Sequence, residues 1–418
     1  MGSMDNDTKP PIATPVAPTA TSTAPRVASA PRPGRRRSRV RSKDVHRFVE
    51  QLIGNDFHSM RVLSVDNGVT GVFHAATLSI HAIGAALAQA QDLNPKHATK
   101  QVDRLLSNAG IDMEGFFINW VPFVLAQREE ALLSLDWTEF DADNQSTICL
   151  SVVTSHGRAT PLMWKTVVKS ELKGQRNDHE DALLSLFAEL RPATLKQATV
   201  LADRGFGDQK LYTFLSELGL DYIIRFRGVV LVQMPSGECR SAKQWLPKTT
   251  RPRHISNPLL TADKTPVAAV VCVHAKGMKD PWFLATSRAD LTGSKVIKCY
   301  GRRFTCEENF RDTKDIRFGM ALSSTHISVP ARRDRLLLLG AAAQALLTLL
   351  GAAGERVGLD RMLKVNTVKR RTMSLFRQGC YWYGAIPAMS EERLKLLMDA
   401  YAEVVAEHAV FAELFGVL

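Results

Sequence analysis

The spacing of apolar residues predicts helices in the first folded part of the chain. Segments such as DVHRFVEQLIG and KHATKQVDRLLSNAG place apolar side chains three and four residues apart, which is the period of an amphipathic helix. Asn94 and Pro95 are typical of a helix start, and Gly110 follows the end of that helix. We therefore expect a helical domain over residues 44–128.

The pattern changes from helices to strands after this domain. ALLSLDWTEFD, STICLSVVT and ATPLMWKTVV predict three consecutive strands separated by short polar turns. A helix, a buried strand (ATVLADRG), a second helix and another strand (DYIIRFRG) follow. This order is that of an RNase H-like fold, an α/β core with a mixed five-stranded sheet and helices. Residues 129–228 are the first part of the predicted core.

Residues 229–292 interrupt the core with strand-like segments. VVLVQM, VAAVVCVHA and PWFLATS predict a β-rich insertion between the fifth core strand and the next helix. We expect the core to resume over residues 293–355. No proline interrupts the run from Lys295 to Val329, which supports a helix over Cys299 to Asp315 within it. Residues 356–418 are predicted to form a C-terminal helical region.

The most apolar run of the chain is LLLLGAAAQALLTLLGAAG, Leu336 to Gly354. Its length is close to that of a membrane-spanning helix. The Gly, Gln and Thr interruptions and the many alanines fit better a helix buried within a large domain. We therefore expect a core helix, with a membrane span as the alternative.

The net charge of +12 is concentrated near the N-terminus. Residues 1–43, rich in Pro, Ala, Thr and Ser, carry +7, while the rest of the chain carries +5. A segment of this composition cannot bury enough apolar surface to fold, so we predict a disordered basic tail. The tail either contacts phosphates or is a solubilising linker.

The cysteines and histidines argue against a zinc site or a disulfide scaffold. The six cysteines lie far apart without a CxxC motif, and no HExxH or HxxxH pair occurs among the eleven histidines. A reducing compartment is the expectation.

The segment CYGRRFTCEENFRDTKD alternates cations, carboxylates and aromatic residues. On a helix, Tyr300, Arg303, Glu307 and Lys314 would lie within roughly 60° of one another. One interpretation is an exposed helix with ion pairs from Arg303 to Glu307 and from Glu307 to Arg311. The other interpretation is a functional surface, and it requires further acids from elsewhere in the core to lie beside this segment.

Two aspartates occupy positions where an isolated charge is costly. Asp136 follows the apolar run ALLSL within the first strand, and Asp203 ends the buried strand ATVLA. The first and fourth strands of an RNase H-like sheet are neighbours, so these acids would meet, and the helix after the fifth strand would add Glu307. Three carboxylates suit two hard divalent cations, Mg²⁺ or Mn²⁺. The alternative is that Asp203 caps the next helix and Asp136 pairs with a Lys or Arg.

Three motifs make this chain similar to a known family. The charged segment contains the complete Y-x2-R-x3-E-x6-K signature, DWT at Asp136 resembles the family's D-x-T, and DRGFGD at Asp203 resembles its second-aspartate motif. With these motifs in the order D, D, E, the chain resembles bacterial DDE transposases of the insertion-sequence family four type. The resemblance implies that Asp136, Asp203 and Glu307 are catalytic and bind two Mg²⁺ or Mn²⁺ ions per active site.

The resemblance also implies residues that bind DNA. Tyr300, Arg303 and Lys314 would bind phosphates near the cleaved end. Some relatives form a hairpin on the transposon end and hold a flipped base between aromatic residues. Trp282 and Phe304 are the corresponding candidates, although hairpin-forming relatives commonly have Trp where this chain has Phe304. Trp282 is alternatively a core residue of the insertion.

The function implied by the resemblance is cut-and-paste DNA transposition. The enzyme would bind terminal inverted repeats through the helical domain 44–128, cleave the transposon ends and join 3′-hydroxyls to target DNA. Its partners would be double-stranded DNA and a second copy of the chain, with residues 356–418 as a possible dimerisation region. We expect no membrane partner and a cytoplasmic, nucleoid-associated protein. The alternatives are a stand-alone metal-dependent nuclease and a non-catalytic DNA-binding regulator derived from a transposase.

Overall fold

The computed structural model describes Val49 and residues 59–126, 128–317 and 319–406. The basic tail predicted for residues 1–43 lies outside the described residues. The described part begins with four helices: α1 (Ser59–Ala75), α2 (Ile80–Gln91), α3 (Pro95–Ser107) and α4 (Met113–Leu125). The start of α3 is as predicted, because the Asn94 side chain caps it by accepting a hydrogen bond from the Lys96 amide at 3.0 Å.

The strands predicted for the core form adjacent strands of one sheet. Their order is β3-β2-β1-β4-β5, with β1 antiparallel to β2 and parallel to β4. Leu135 of β1 pairs with Ala202 of β4, so the residues that follow them, Asp136 and Asp203, lie at the same end of the sheet. The bounds are β1 (Glu130–Phe140), β2 (Gln145–Val153), β3 (Ala159–Val168), α5 (Arg176–Leu190), β4 (Gln197–Ala202), α6 (Gln209–Glu217) and β5 (Asp221–Arg225).

The insertion is β-rich, as predicted, but the prediction of a five-stranded sheet is wrong. Three insertion strands continue the sheet to eight, in the order β5-β12-β11-β8, and four short strands form a second sheet, β10-β9-β6-β7. The hydrophobic pattern identifies strands but not their partners, which is why the larger sheet was not expected. The bounds are β6 (Leu231–Gln233), β7 (Cys239–Ser241), β8 (Arg253–Ser256), β9 (Leu259–Leu260), β10 (Thr265–Pro266), β11 (Ala269–Val273) and β12 (Trp282–Thr286).

The charged segment is not one continuous helix. Helix α7 (Gly293–Gly301) is followed by a 3₁₀ turn (Arg302–Phe304) and then by α8 (Thr305–Lys314). Asp315, the last residue of the segment, adopts an extended conformation with ψ of 135° and ends α8. The absence of proline permits a helix but does not require one.

The long apolar segment forms the central helix α9 (Pro330–Arg356). It is long and apolar enough to cross a membrane, but 89 % of its apolar stretch is buried inside the protein, in agreement with a core helix. Gly351 of α9 and Gly379 of α10 (Leu375–Ala385) let these helices touch, since a Cβ at either would overlap the backbone of the other. The last described helix, α11 (Glu391–Ala406), also packs on α9, to which the buried Tyr401 donates a hydrogen bond.

Candidate active site

Asp136 is mostly buried at the end of the central strands. Its Oδ1 accepts a hydrogen bond from the Trp137 amide at 3.0 Å. Its Oδ2 accepts from Arg303 Nη1 at 3.1 Å and from the Cys306 thiol at 3.4 Å. The ion pair that we considered for Asp136 therefore exists, and its partner is the arginine of the signature.

Asp203 is the first residue after β4 and folds into a tight local turn. Its Oδ1 accepts a hydrogen bond from the Gly205 amide at 2.7 Å. The alternative that Asp203 caps the next helix is wrong, because Asp208 caps α6 by accepting from the Lys210 amide at 3.1 Å. Asp203 lines the same cleft as Asp136.

Glu307 projects from the first turn of α8 and pairs with Arg303. The distance from Arg303 Nη2 to Glu307 Oε1 is 2.7 Å, which confirms the predicted i,i+4 pair. The second predicted pair is wrong, because Arg311 binds Glu308 at 2.5 Å instead of Glu307. Arg303 is only 6 % exposed, so this part of the segment is not a solvated helix surface.

The three carboxylates influence one another through space. Burial raises the pKa of the Asp136 carboxyl above its ordinary value, and the charges of Asp203 and Glu307 raise it further. Arg303 and the Cys306 hydrogen bond act in the opposite direction. Burial by itself lowers the pKa of Arg303, but the neighbouring Tyr300, followed by Asp136, Cys306 and Glu307, outweighs burial and leaves it raised. Arg303 therefore remains a cation between Asp136 and Glu307.

Lys314 lies at the other end of α8. Its Nζ donates hydrogen bonds to Thr138 Oγ1 at 3.1 Å and to the Glu139 carbonyl at 2.7 Å, and it lies 4.5 Å from the Phe140 ring centre. Burial lowers the pKa of Lys314, as does the charge of Arg333. These contacts hold the ammonium group against β1.

An open cleft of about 540 Å³ joins most of the predicted site. The carboxylates of Asp136, Asp203 and Glu307 line it together with Arg303 and Lys314. Tyr300 does not line this cleft, because its side chain is 1 % exposed and packs in the apolar cluster beneath it.

The predicted aromatic residues form a separate group beside the cleft. The Trp282 ring lies edge-on to Tyr300 at 4.9 Å and at 6.1 Å from Phe304. Arg303 stacks over the Phe304 ring at 5.1 Å, which links this group to the carboxylates. Phe304 is 41 % exposed, whereas Trp282 is half-buried.

Two residues next to the site were not predicted. Cys306 donates a hydrogen bond to Asp136. Its position directly before Glu307 was the feature of the sequence that could have indicated a place near the site. Glu180 of α5 accepts a hydrogen bond from Trp137 Nε1 at 2.8 Å, and burial raises the pKa of Glu180 to about 7. No local pattern connects Glu180 with a strand more than 40 residues away.

The carboxylates have suitable chemistry for a hard divalent cation. Three of them line one cleft, and their mutual repulsion is visible in the raised pKa of Asp136. Within residues 59–126, 128–317 and 319–406, however, no three His, Cys, Asp or Glu side chains are already arranged to hold a metal ion. Arg303 instead supplies the positive charge between Asp136 and Glu307.

Comparison with known families gives one match. Residues 154–343 match the family model of the transposase DDE domain. The match supports a DDE transposase family and agrees with a mixed α/β core of the RNase H-like type. It includes Asp203, Arg303, Glu307 and Lys314 but begins after Asp136. No curated protein matches the chain.

Proposed function

We propose that this chain is a cut-and-paste DNA transposase of the insertion-sequence family four type. The observation that carries the proposal is that Asp136, Asp203 and Glu307 line one cleft together with Arg303 and Lys314. Carboxylates for metal ions and cations for phosphates are the groups that cleavage and joining of DNA strands require. On this proposal the enzyme binds terminal inverted repeats, cleaves the transposon ends and joins 3′-hydroxyls to target DNA.

Asp136, Asp203 and Glu307 are the proposed ligands of two Mg²⁺ or Mn²⁺ ions. DDE transposases generally depend on divalent metals. When bound, such ions supply the positive charge that activates a water or a 3′-hydroxyl and stabilises the leaving oxygen. Glu307 has to release Arg303 to act as a ligand, and its half-exposed side chain already lines the cleft.

Arg303 and Lys314 are proposed to bind the DNA backbone. The Arg303 guanidinium matches two phosphate oxygens as well as it matches two carboxylate oxygens, so it can exchange one pair for the other. Lys314 is held by Thr138 and Glu139 and presents a single positive charge to the same cleft. Tyr300 is proposed to bind the same strand, which requires its buried ring to become accessible when DNA binds.

Trp282 and Phe304 are proposed to hold an unpaired base next to the cleaved phosphate. Their rings lie close together, Phe304 is partly exposed, and Arg303 stacks over the Phe304 ring. A base stacked there would place its phosphate near the carboxylates.

The remaining parts of the chain have proposed roles in assembly. The helices within residues 44–128 would bind the terminal repeat, and residues 356–418 would join two copies in the synaptic complex. Two copies would bring two transposon ends to one target, in the cytoplasm and on the bacterial nucleoid.

One assay separates this function from its competitors. Purified protein is incubated with labelled DNA carrying the element's end, a supercoiled target and Mg²⁺. Joined product supports a transposase. Hydrolysis without joining indicates a nuclease on the same fold, and a bound but uncut end indicates a non-catalytic regulator; either result would overturn the proposal.

A further inference from the structure

Helix α7 and the residue that directly follows it carry three cations on one face. Lys295, Lys298 and Arg302 are three and four residues apart, so they lie within roughly 60° of one another around the helix axis. Both lysines are exposed and the arginine is half-buried. We call these three residues the α7 stripe.

The α7 stripe is not neutralised by nearby acids. None of its three side chains forms an ion pair with an acid in the part of the chain that the structure describes. The acid preceding the helix, Asp290, is bound by Arg288 at 2.8 Å, and Lys295 acts on it only through space. The stripe therefore presents positive charge without a paired acid to solvent, which is the electrostatic requirement for binding a phosphate backbone.

One end of the α7 stripe adjoins the catalytic cleft. Arg302 begins the 3₁₀ turn that also contains Arg303 and Phe304. From Lys295 to Arg302 the helix rises about 10 Å, the length of about three nucleotides along one strand of a duplex. A backbone held at Arg303 can thus continue along the stripe without a gap.

The other end adjoins the basic edge of the eight-stranded sheet. Gly293 at the start of α7 lies against Pro252 and His254, next to the edge strand β8. Residues 239–262 around this strand contain no acid, and the preceding Glu238 pairs with Arg240. Five other basic residues here are exposed: Lys243, Lys248, Arg251, Arg253 and His254. Positive charge therefore continues from the cleft, along α7, to the edge of the insertion.

We propose that the α7 stripe binds the phosphate backbone of duplex DNA where the duplex leaves the catalytic cleft towards the edge strand β8. The course of the DNA rests on the proposed transposase function, since it begins at the phosphate held by Arg303. The stripe contributes affinity without base specificity, because lysines and arginines on phosphates do not distinguish sequences.

The test is the salt dependence of duplex binding by the full chain. Fluorescence anisotropy with a 30-base-pair duplex of arbitrary sequence gives the dissociation constant from 50 to 200 mM salt. Replacing Lys295, Lys298 and Arg302 by Gln should lower the slope of log K against log salt by about 2.7, since each phosphate contact contributes about 0.9. The charge-conserving variant Lys295→Arg, Lys298→Arg and Arg302→Lys should restore the slope.

The matched control removes three exposed charges away from the α7 stripe. Lys165 lies on the edge strand β3, Lys173 lies before α5, and Lys196, which pairs with Glu129, lies before the central strand β4. Their replacement by Gln should change the slope by less than about 0.9, which is the contribution of one phosphate contact. The inference would be overturned if the two triple variants had equal slopes. It would also be overturned if the stripe variant lost affinity only for single-stranded DNA. If the wild-type protein neither cleaves nor joins DNA, the transposase proposal is overturned. Even then, a smaller salt slope in the stripe variant alone would support the α7 stripe as a binding surface for duplex DNA.

Discussion

Arg303 and Asp136 form a mostly buried ion pair across 3.1 Å, and the same guanidinium binds Glu307 at 2.7 Å. One cation thus joins two of the three acids that are the proposed metal ligands. In a site built to hold divalent ions, the DNA-free protein needs some positive charge to offset the repulsion between carboxylates. Arg303 has this role in the structure. On the proposed function, its guanidinium binds a DNA phosphate instead of the carboxylates when metal and DNA bind.

Replacing Arg303 by Ala should destabilise the metal-free protein and increase its response to Mg²⁺. Loss of a mostly buried cation leaves Asp136 uncompensated, at a cost of about 1–3 kcal/mol in the free energy of unfolding. Mg²⁺ should then raise the Tm of the variant by more than it raises that of wild type, because no arginine competes for the carboxylates. Thermal unfolding with and without 10 mM MgCl₂ measures both effects. Arg311→Ala is the control, because it removes an exposed arginine of α8 that lines the same cleft but pairs with Glu308. An equal Mg²⁺ response in wild type and Arg303→Ala would contradict the proposed replacement of Arg303 by Mg²⁺.

Replacing Glu307 by Gln should abolish DNA cleavage and leave binding of the transposon end largely intact. The amide keeps the size of the side chain but loses the charge that a divalent cation needs, so the cleavage rate should fall by at least about 100-fold. Gel-based cleavage and band-shift assays report the two properties separately. Glu308→Gln is a matched control one residue away, because Glu308 pairs with Arg158 and Arg311. If cleavage survives in Glu307→Gln, another acid is the third ligand.

Replacing Phe304 by Ala should weaken binding of DNA ends that carry an unpaired base. Stacking of one base on an aromatic ring contributes about 1–3 kcal/mol, so the dissociation constant should rise by about 5- to 150-fold. A fully paired duplex of the same length should bind almost as well as it binds wild type. Tyr381→Ala, at an aromatic residue on α10 that is 51 % exposed, controls for general loss of surface area. An equal loss with paired and unpaired ends would rule out base stacking at Phe304.

Replacing Glu180 by Gln should remove a pH-dependent loss of stability. The pKa of Glu180 is raised to about 7 in the folded protein, so between about pH 4.5 and pH 7 this carboxyl is ionised in the unfolded chain but protonated in the folded one. Stability therefore falls as the pH rises through this window, by up to about 3 kcal/mol. Gln does not titrate, and its side-chain oxygen can still accept the Trp137 hydrogen bond.

Denaturant unfolding at pH 5 to 8 tests this pH dependence. The difference in stability between wild type and Glu180→Gln should move in favour of the variant as the pH rises. Glu189→Gln, at an exposed position on the same helix, should give a curve parallel to wild type. Parallel curves for Glu180→Gln as well would show that Glu180 titrates normally.

The order of the core strands and the meeting of Asp136 with Asp203 were predictable from the sequence. Both depend on the two-residue period of strands and on the pairing of the first and fourth strands, which local patterns and chain order together define. The position of Glu307 followed from the signature spacing, and the structure places it in the same cleft.

The parts that were not predictable depend on long-range contacts. β11 and β12 were recognisable as strands, but their place beside β5 is decided by packing and not by their own residues. The choice of Glu308 over Glu307 as the partner of Arg311 depends on side-chain directions within α8, since Glu307 already binds Arg303. The links from Cys306 to Asp136 and from Glu180 to Trp137 join elements that no local pattern connects.

The continuous eight-stranded sheet has a mechanical consequence for the insertion. Trp282 lies on β12, which is hydrogen-bonded to β5, and β5 is hydrogen-bonded to the strand that ends beside Asp203. The ladder is continuous from β4 to β12, so the strand that carries Trp282 does not swing over the cleft as part of a separate lid. On the proposed function, the sheet therefore sets the distance between a base held at Trp282 and a phosphate held beside Asp203. The DNA would have to adapt its own backbone to that spacing, and an end that is already unstacked would do so at the lowest energetic cost.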